Sequence, residues 1–219
     1  MSNEIKKLIF WGGTGQSIVL EEFLTSENYE LVAIIDNNPD CISPFTGIPV
    51  YTGLEGLDNL MKQFQDENLH YLVAIGGKYG KDRYEIHQTL KKKGLVPINA
   101  VHPNAYVAKN AAVGAYNQIL AGATIGARVK TGDVCIINTS ASVDHECILG
   151  DGVHIGPGAH LAGCIEVGDY TFIGTGATIL PRIKIGKNVI IGAGAIVTKD
   201  IPDNVIAYGN PCRIIKNNQ

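Results

Sequence analysis

From Val107 onward, apolar residues recur at every sixth position: Val107, Val113, Ile119, Ile125, Thr131, Ile137, Val143, Leu149, Ile155, Leu161, Val167, Ile173, Ile179, Ile185, Ile191 and Val197. Fifteen of these sixteen residues are Val, Ile or Leu, and Thr131 alone departs. The residue two before each is mostly small or aliphatic, as at Ala105, Ala123, Cys147, Ala159, Ala177 and Ala195. Gly follows the apolar residue in nine of the sixteen hexads. Neither a helix nor a simple strand repeats at six, so the pattern predicts a repeat architecture. Side chains alternate along a strand, so both apolar positions of a hexad face inward. A short turn, often supplied by Gly, then swings the chain onto the next face. Three faces per coil make a triangular prism, and sixteen hexads make about five coils, a column of about 25 Å at ~4.8 Å per stacked strand.

Residues 1–103 follow a different grammar. KKLIFWGG (6–13), ELVAIIDNN (30–38) and HYLVAIGG (70–77) are short apolar runs that end in turn residues, as buried strands do. Gln16 to Ser26 is helix-compatible, residues 54–68 place Leu57, Leu60, Met61 and Phe64 on one helical face, and RYEIHQTLKKKG (83–94) ends in the lysines and glycine of a helix C-terminus. VPINAV (96–101) closes this part. Strands alternating with helices predict a parallel, Rossmann-like sheet. The expected organisation is an α/β domain over 1–103 and a parallel β-helix with a C-terminal tail over 104–219.

Composition narrows the function. The chain has 219 residues, 45% hydrophobic and 18% charged, and a net charge of -3. It can bury a core, and it lacks the basic footprint of a nucleic-acid partner. The N-terminal apolar run is too short for a secretory segment or a membrane span. Five cysteines without C-x-x-C read as reduced, cytoplasmic thiols. Cys135, Cys147 and Cys164 fall in small inward slots or corners and read as packing residues. His70, His87 and His102 read as surface or hydrogen-bonded histidines.

Departures from the repeat mark candidate chemistry. Asn138 and Asp144 replace the glycine that follows the apolar residue, and His145-Glu146 comes just after them, within NTSASVDHECILG. A histidine is well matched to take a proton near neutral pH, which contributes about 10²–10⁴-fold to a rate. A neighbouring carboxylate can fix its tautomer, and a glycine N–H can hold an oxyanion. His154 and His160 occupy slots between inward positions and are expected on the outer surface. They are six apart, on successive faces, so no metal site is expected from them.

The strand-G-x-x-G start, the compact α/β unit, the prism containing N-T-S-x-x-V-x-H-E-C-x-I/L-G and the closing A-x-G-x-P tail (207–211) together resemble the bacterial sugar acetyltransferases. That family includes nucleotide-amino-sugar N-acetyltransferases and sialic-acid O-acetyltransferases, and its prisms are left-handed. The resemblance implies acetyl-CoA as co-substrate, with His145 as general base, Glu146 as its orienting carboxylate, and Gly163 N–H facing the acetyl oxygen from a neighbouring subunit. It places Asn138 and His154 in the acceptor and thioester region. Thr175, Ala193 and Gly209-Asn210-Pro211 would border the rest of CoA. It assigns Gly12, Gly13, Thr14, Gly15 and Asp36 to the nucleotide of the sugar. Gln16 stands where many relatives carry histidine. The loop is not G-x-G-x-x-G, so NAD is not implied. A homotrimer with C3 symmetry is implied, as is a role in lipopolysaccharide or other surface-glycan synthesis on a 4-amino-4,6-dideoxy sugar. O-acetylation of a free sugar such as sialic acid is the alternative. Residues 76–83, GGKYGKDR, fit either a phosphate contact or a solvated helix start.

Overall fold

The computed structural model of the chain describes residues 5–25, 29–65 and 67–218. It divides into two compact units. One holds the chain up to Ile75 together with Glu85–Ile98, and the other holds Gly76–Tyr84 together with Asn99 onward. The segment 76–84, read from the sequence as part of the first domain, therefore belongs with the second.

The elements of the first part of the chain are β1 (Lys6–Trp11), α1 (Gly15–Leu24), β2 (Tyr29–Asp36), β3 (Val50–Thr52), α2 (Gly53–Gln63), β4 (His70–Val73), α3 (Gly80–Lys92) and β5 (Val96–Pro97). The strands form one sheet in the order β3-β2-β1-β4-β5, parallel throughout, as the alternation of strands and helices predicts. β3 is too short to show a period and escapes sequence reading. α2 stops before its expected end because the chain turns at Phe64, whose N–H reaches back to Met61 O. Ser26 and Asp66, which the expected helices included, lie outside the described residues. Ile9, Trp11, Ala33, Ile35, Leu57, Leu60 and Leu90 form the core on one side of the sheet.

In the second unit, two-residue strands stack into three parallel sheets. On one face Thr124, Ser142, His160 and Thr178 follow one another at intervals of eighteen, one coil per step. This is the left-handed parallel β-helix of the hexapeptide repeat. Its interior is a continuous column of the predicted residues, among them Ile125, Val143, Leu161 and Ile179 with Ala123, Ala141, Ala159 and Ala177. Val205–Tyr208 and Arg213–Asn217 close it with an antiparallel hairpin.

The turns are built differently from the sequence expectation. From Tyr116 to Gly194, every sixth residue is left-handed, with φ between 52 and 68°, and nine of these fourteen are not glycine. The glycines after the apolar residues serve close stacking instead. A Cβ at Gly114 would sit 2.3 Å from Gly132 O, and one at Gly174 would sit 2.6 Å from Ala193 N.

Candidate active site

His145 and Glu146 sit at the corner that follows the Ser142–Val143 strand. Asp144, in the slot usually held by glycine, accepts the His145 N–H on Oδ1 at 2.7 Å. The His145 ring has two distinct sides. Nδ1 lies 3.2 Å from Glu146 Oε2, so Nδ1–H donates to the carboxylate and Nε2 keeps its lone pair. Nε2 lies over Gly163, where a Cβ would come within 2.4 Å of it. Among the described residues, the Gly163 N–H has no hydrogen-bond acceptor. The spacing of eighteen puts Gly163 one coil beyond His145 in the same chain, not in a neighbouring subunit as the resemblance implied.

Counting eighteen also brings Arg128 and Cys164, neither of them an expected site residue, into line with Glu146. Arg128, Glu146 and Cys164 share one column of left-handed corners. Arg128 Nη1 lies 3.6 Å from Glu146 Oε1. Among the described residues, donor atoms of His145, Glu146 and Cys164 form the one group of candidate metal ligands, all within 4.8 Å of one another.

His154 corrects an expectation. Its slot does point outward, but the ring is only 3% exposed because segment 76–84 covers that face. Nδ1–H donates to Gly77 O at 3.1 Å, and Nε2 accepts from Asn138 Nδ2 at 3.0 Å. Asn138 Oδ1 accepts the Thr139 N–H, and Phe172 stands edge-on to the imidazole. A proton added at Nε2 would face an amide NH₂ group. Burial, with the Arg83 guanidinium nearby, pushes this imidazole down to about 3. Arg83 is itself fully buried, donating to Val134 O at 3.0 Å and Gly152 O at 2.8 Å. Arg83 is thus neither a phosphate contact nor solvated, whereas Lys81 and Asp82 in the first turn of α3 are exposed, as a solvated helix start requires. His160 is exposed as expected, with Nδ1 2.8 Å from Ser142 Oγ.

Along one face of the prism runs a groove of about 430 Å³ whose walls include Thr124, Ser142, Asp144, His160, Ala162 and Thr178. The corner at one edge of this face carries His145 and Gly163. The corner at the other edge carries Asn138, Thr175 and Ala193, the last two stacked with Gly194 N–H donating to Thr175 O. Gly209 O receives the Ile196 N–H, which sets Gly209-Asn210-Pro211 at the end of the same face. The structure thus sets Thr175, Ala193 and Gly209-Asn210-Pro211 along one edge and His145, Glu146 and Gly163 along the other, while His154, also expected near the thioester, is buried on the next face.

In the first unit, Gly12 has φ +111°, and a Cβ there would strike Ala74 O at 2.6 Å. The Gly13 N–H donates to Asp36 Oδ2 and the Asn38 N–H to Asp36 Oδ1, each at 2.9 Å. Thr14 occupies the N-cap position of α1 without a side-chain capping bond, Gly15 opens the helix and half-buried Gln16 follows, so this loop meets the positive end of a ten-residue helix.

The family model described as "Bacterial transferase hexapeptide (six repeats)" matches residues 164–199. PerB from Caulobacter crescentus, solved with CoA and GDP-perosamine, is 35% identical, with 98% of this chain and 100% of that chain covered and a TM-score of 0.86. The chain belongs to the hexapeptide-repeat sugar acetyltransferases. Two further structures support this membership in the sugar acetyltransferases. A variant of perosamine N-acetyltransferase from Caulobacter crescentus, with CoA and GDP-perosamine, is 34% identical over 99% of this chain and 100% of that chain, at a TM-score of 0.86. The acetyltransferase domain of PglB from Neisseria gonorrhoeae, with acetyl coenzyme A, is 31% identical over 96% of this chain and 99% of that chain, at a TM-score of 0.83. Among the described residues, no helix of this acetyltransferase is long and apolar enough to cross a membrane.

Proposed function

We propose that this acetyltransferase moves the acetyl group of acetyl-CoA onto the amino group of a nucleotide-linked amino sugar. Similarity along the full chain to enzymes holding CoA and GDP-perosamine supports the substrate class. The observation that carries the mechanism is the two-sided setting of His145, with Nδ1–H on Glu146 and Nε2 bare over Gly163. In this reading the sugar nitrogen attacks the thioester carbonyl while His145 Nε2 takes its proton. The Gly163 N–H stabilises the tetrahedral oxyanion. Collapse breaks the carbon–sulfur bond, and the imidazolium returns the proton to the departing CoA thiolate. Glu146 holds the tautomer and steadies the imidazolium.

The loop Gly12–Gly15 and the N-terminus of α1 are assigned to the nucleotide diphosphate, with Asp36 shaping the loop through its two backbone hydrogen bonds. Thr175, Ala193 and the 209–211 loop are assigned to CoA. His145 and the CoA edge flank one prism face, so we assign the working enzyme to a cyclic trimer in which that face meets a second prism.

His145→Ala is expected to lower turnover by about 10²–10⁴-fold, with unchanged circular dichroism and unfolding midpoint. Release of CoA thiol is the readout, with GDP-, UDP- and dTDP-linked amino sugars as acceptors. A fully active variant removes His145 as the base. Turnover only with a free sugar such as sialic acid replaces the N-acetylation reading by O-acetylation.

A further inference from the structure

We propose that His145, Glu146 and Cys164 also form a reversible site for a thiophilic divalent cation of the zinc class, and that its occupation switches acetyl transfer off. The donor atoms already lie within 4.8 Å of one another, and His145 Nδ1 and Glu146 Oε2 are 3.2 Å apart. Bonds of ~2.0–2.3 Å in a tetrahedral zinc centre put ligand atoms roughly 3.3–3.8 Å from each other. Closing the cluster onto an ion therefore needs shifts of about 1 Å. The His145 and Glu146 side chains are 53% and 48% exposed and have room to make them.

Cys164 distinguishes this corner from an ordinary acidic patch. It sits one coil beyond Glu146, left-handed at φ 61° and partly open to solvent. Cys135 and Cys147 are sealed inside the prism, where burial pushes their thiols up to about 12 and 11. Imidazole, thiolate and carboxylate together suit zinc and not magnesium or calcium. Three protein ligands leave a fourth position for water. Arg128, 3.6 Å from Glu146 Oε1, opposes the cation and keeps the site reversible.

Either ring nitrogen can bind the ion with the same result. At Nε2 the metal takes the lone pair outright. At Nδ1 it displaces the proton now shared with Glu146, and the neutral ring carries that proton on Nε2. The Cys164 thiol proton goes to solvent as the sulfur–metal bond forms. The inhibition rests on His145 being the base, whereas the metal binding does not.

The test uses the full chain, Co²⁺ as a spectroscopic stand-in, and Zn²⁺ added to the turnover assay. Cys164→Ser and Cys164→Gly are the variants; glycine also suits the left-handed corner, so folding is not at risk. The native chain is expected to show a thiolate-to-cobalt charge-transfer band that both variants lack. Both variants should keep basal turnover and need about tenfold more free zinc, or beyond, for half-inhibition, since losing even an outer-shell partner costs about 10–100-fold in metal affinity. No cobalt band, or equal zinc sensitivity in all three proteins, overturns the site. A Cys164-dependent band with turnover untouched by zinc overturns the switch and the base assignment while leaving the metal site standing.

Discussion

At Glu146, backbone preference and chemistry pull in opposite directions. Its φ of 59° is one that five corners of the prism assign to glycine, and a side chain there costs about 1–2 kcal/mol. The carboxylate is nonetheless held against His145 Nδ1. Glu146→Gly is therefore expected to raise the unfolding free energy measured in urea, by up to about 1 kcal/mol once the greater freedom of glycine in the unfolded chain is counted. Its turnover should fall, by less than the roughly 10²–10⁴-fold for loss of the base. A variant that is both more stable and fully active denies the carboxylate any part in the reaction. His145 and His154 make the same point about context. One has a carboxylate at Nδ1 and a bare Nε2 on the opposite side; the other has both nitrogens engaged by neutral partners.

Within the prism, the one broken hexad is compensated by its neighbour. Thr131 accepts from Asn117 Nδ2 at 2.9 Å and from Gly114 N at 3.1 Å, while Asn117 Oδ1 takes the Cys135 N–H at 2.6 Å. Asn117 is 2% exposed and fills an inward slot, so the two polar residues replace apolar packing with a closed hydrogen-bond cluster. Thr131→Val restores the repeat yet is expected to destabilise by about 0.5–1 kcal/mol, because it deletes one acceptor while Asn117 Nδ2 keeps Gly114 O and Gly132 O and the Gly114 N–H keeps Thr131 O. Chemical denaturation measures this, and a neutral or stabilising result means the cluster is dispensable. The hexad rule describes the average strand; satisfying buried polar groups decides the exception.

For the whole molecule, the covered His154 makes acid stability a property of the fold. Its folded value of about 3 lies below the unfolded value near 6.5. Between the two, the unfolded chain binds the extra proton. The contribution is therefore complete above about pH 6.5 and declines as pH falls toward 3, by at most about 1.4 kcal/mol per pH unit. His154→Gln should flatten the fall in melting temperature between pH 6.5 and 4.5, and an unchanged slope would show that another group controls it. Assembly belongs to this scale too. Light scattering should return three times the 23.4 kDa chain mass, and a monomer that retains turnover would refute the cyclic trimer.

Much of this protein was legible in residue order because a coil repeats itself. A spacing of six names the inward positions, so the prism and the departure at His145-Glu146 follow from counting. The spacing of eighteen that sets Gly163, Arg128 and Cys164 beside that corner emerges only with the coils stacked. In the sequence alone Cys164 reads as packing, and Gly163 as a neighbouring subunit's donor. The parallel sheet over the early strands is equally local, since strand-helix alternation leaves few other arrangements. The cover over His154, the burial of Arg83 among carbonyls and the stacking role of the glycines came only from the folded chain. Those features depend on where segment 76–84 lies against the prism and on how closely coils approach. No periodicity encodes a contact between a repeating and a non-repeating stretch, so only three-dimensional packing decides it.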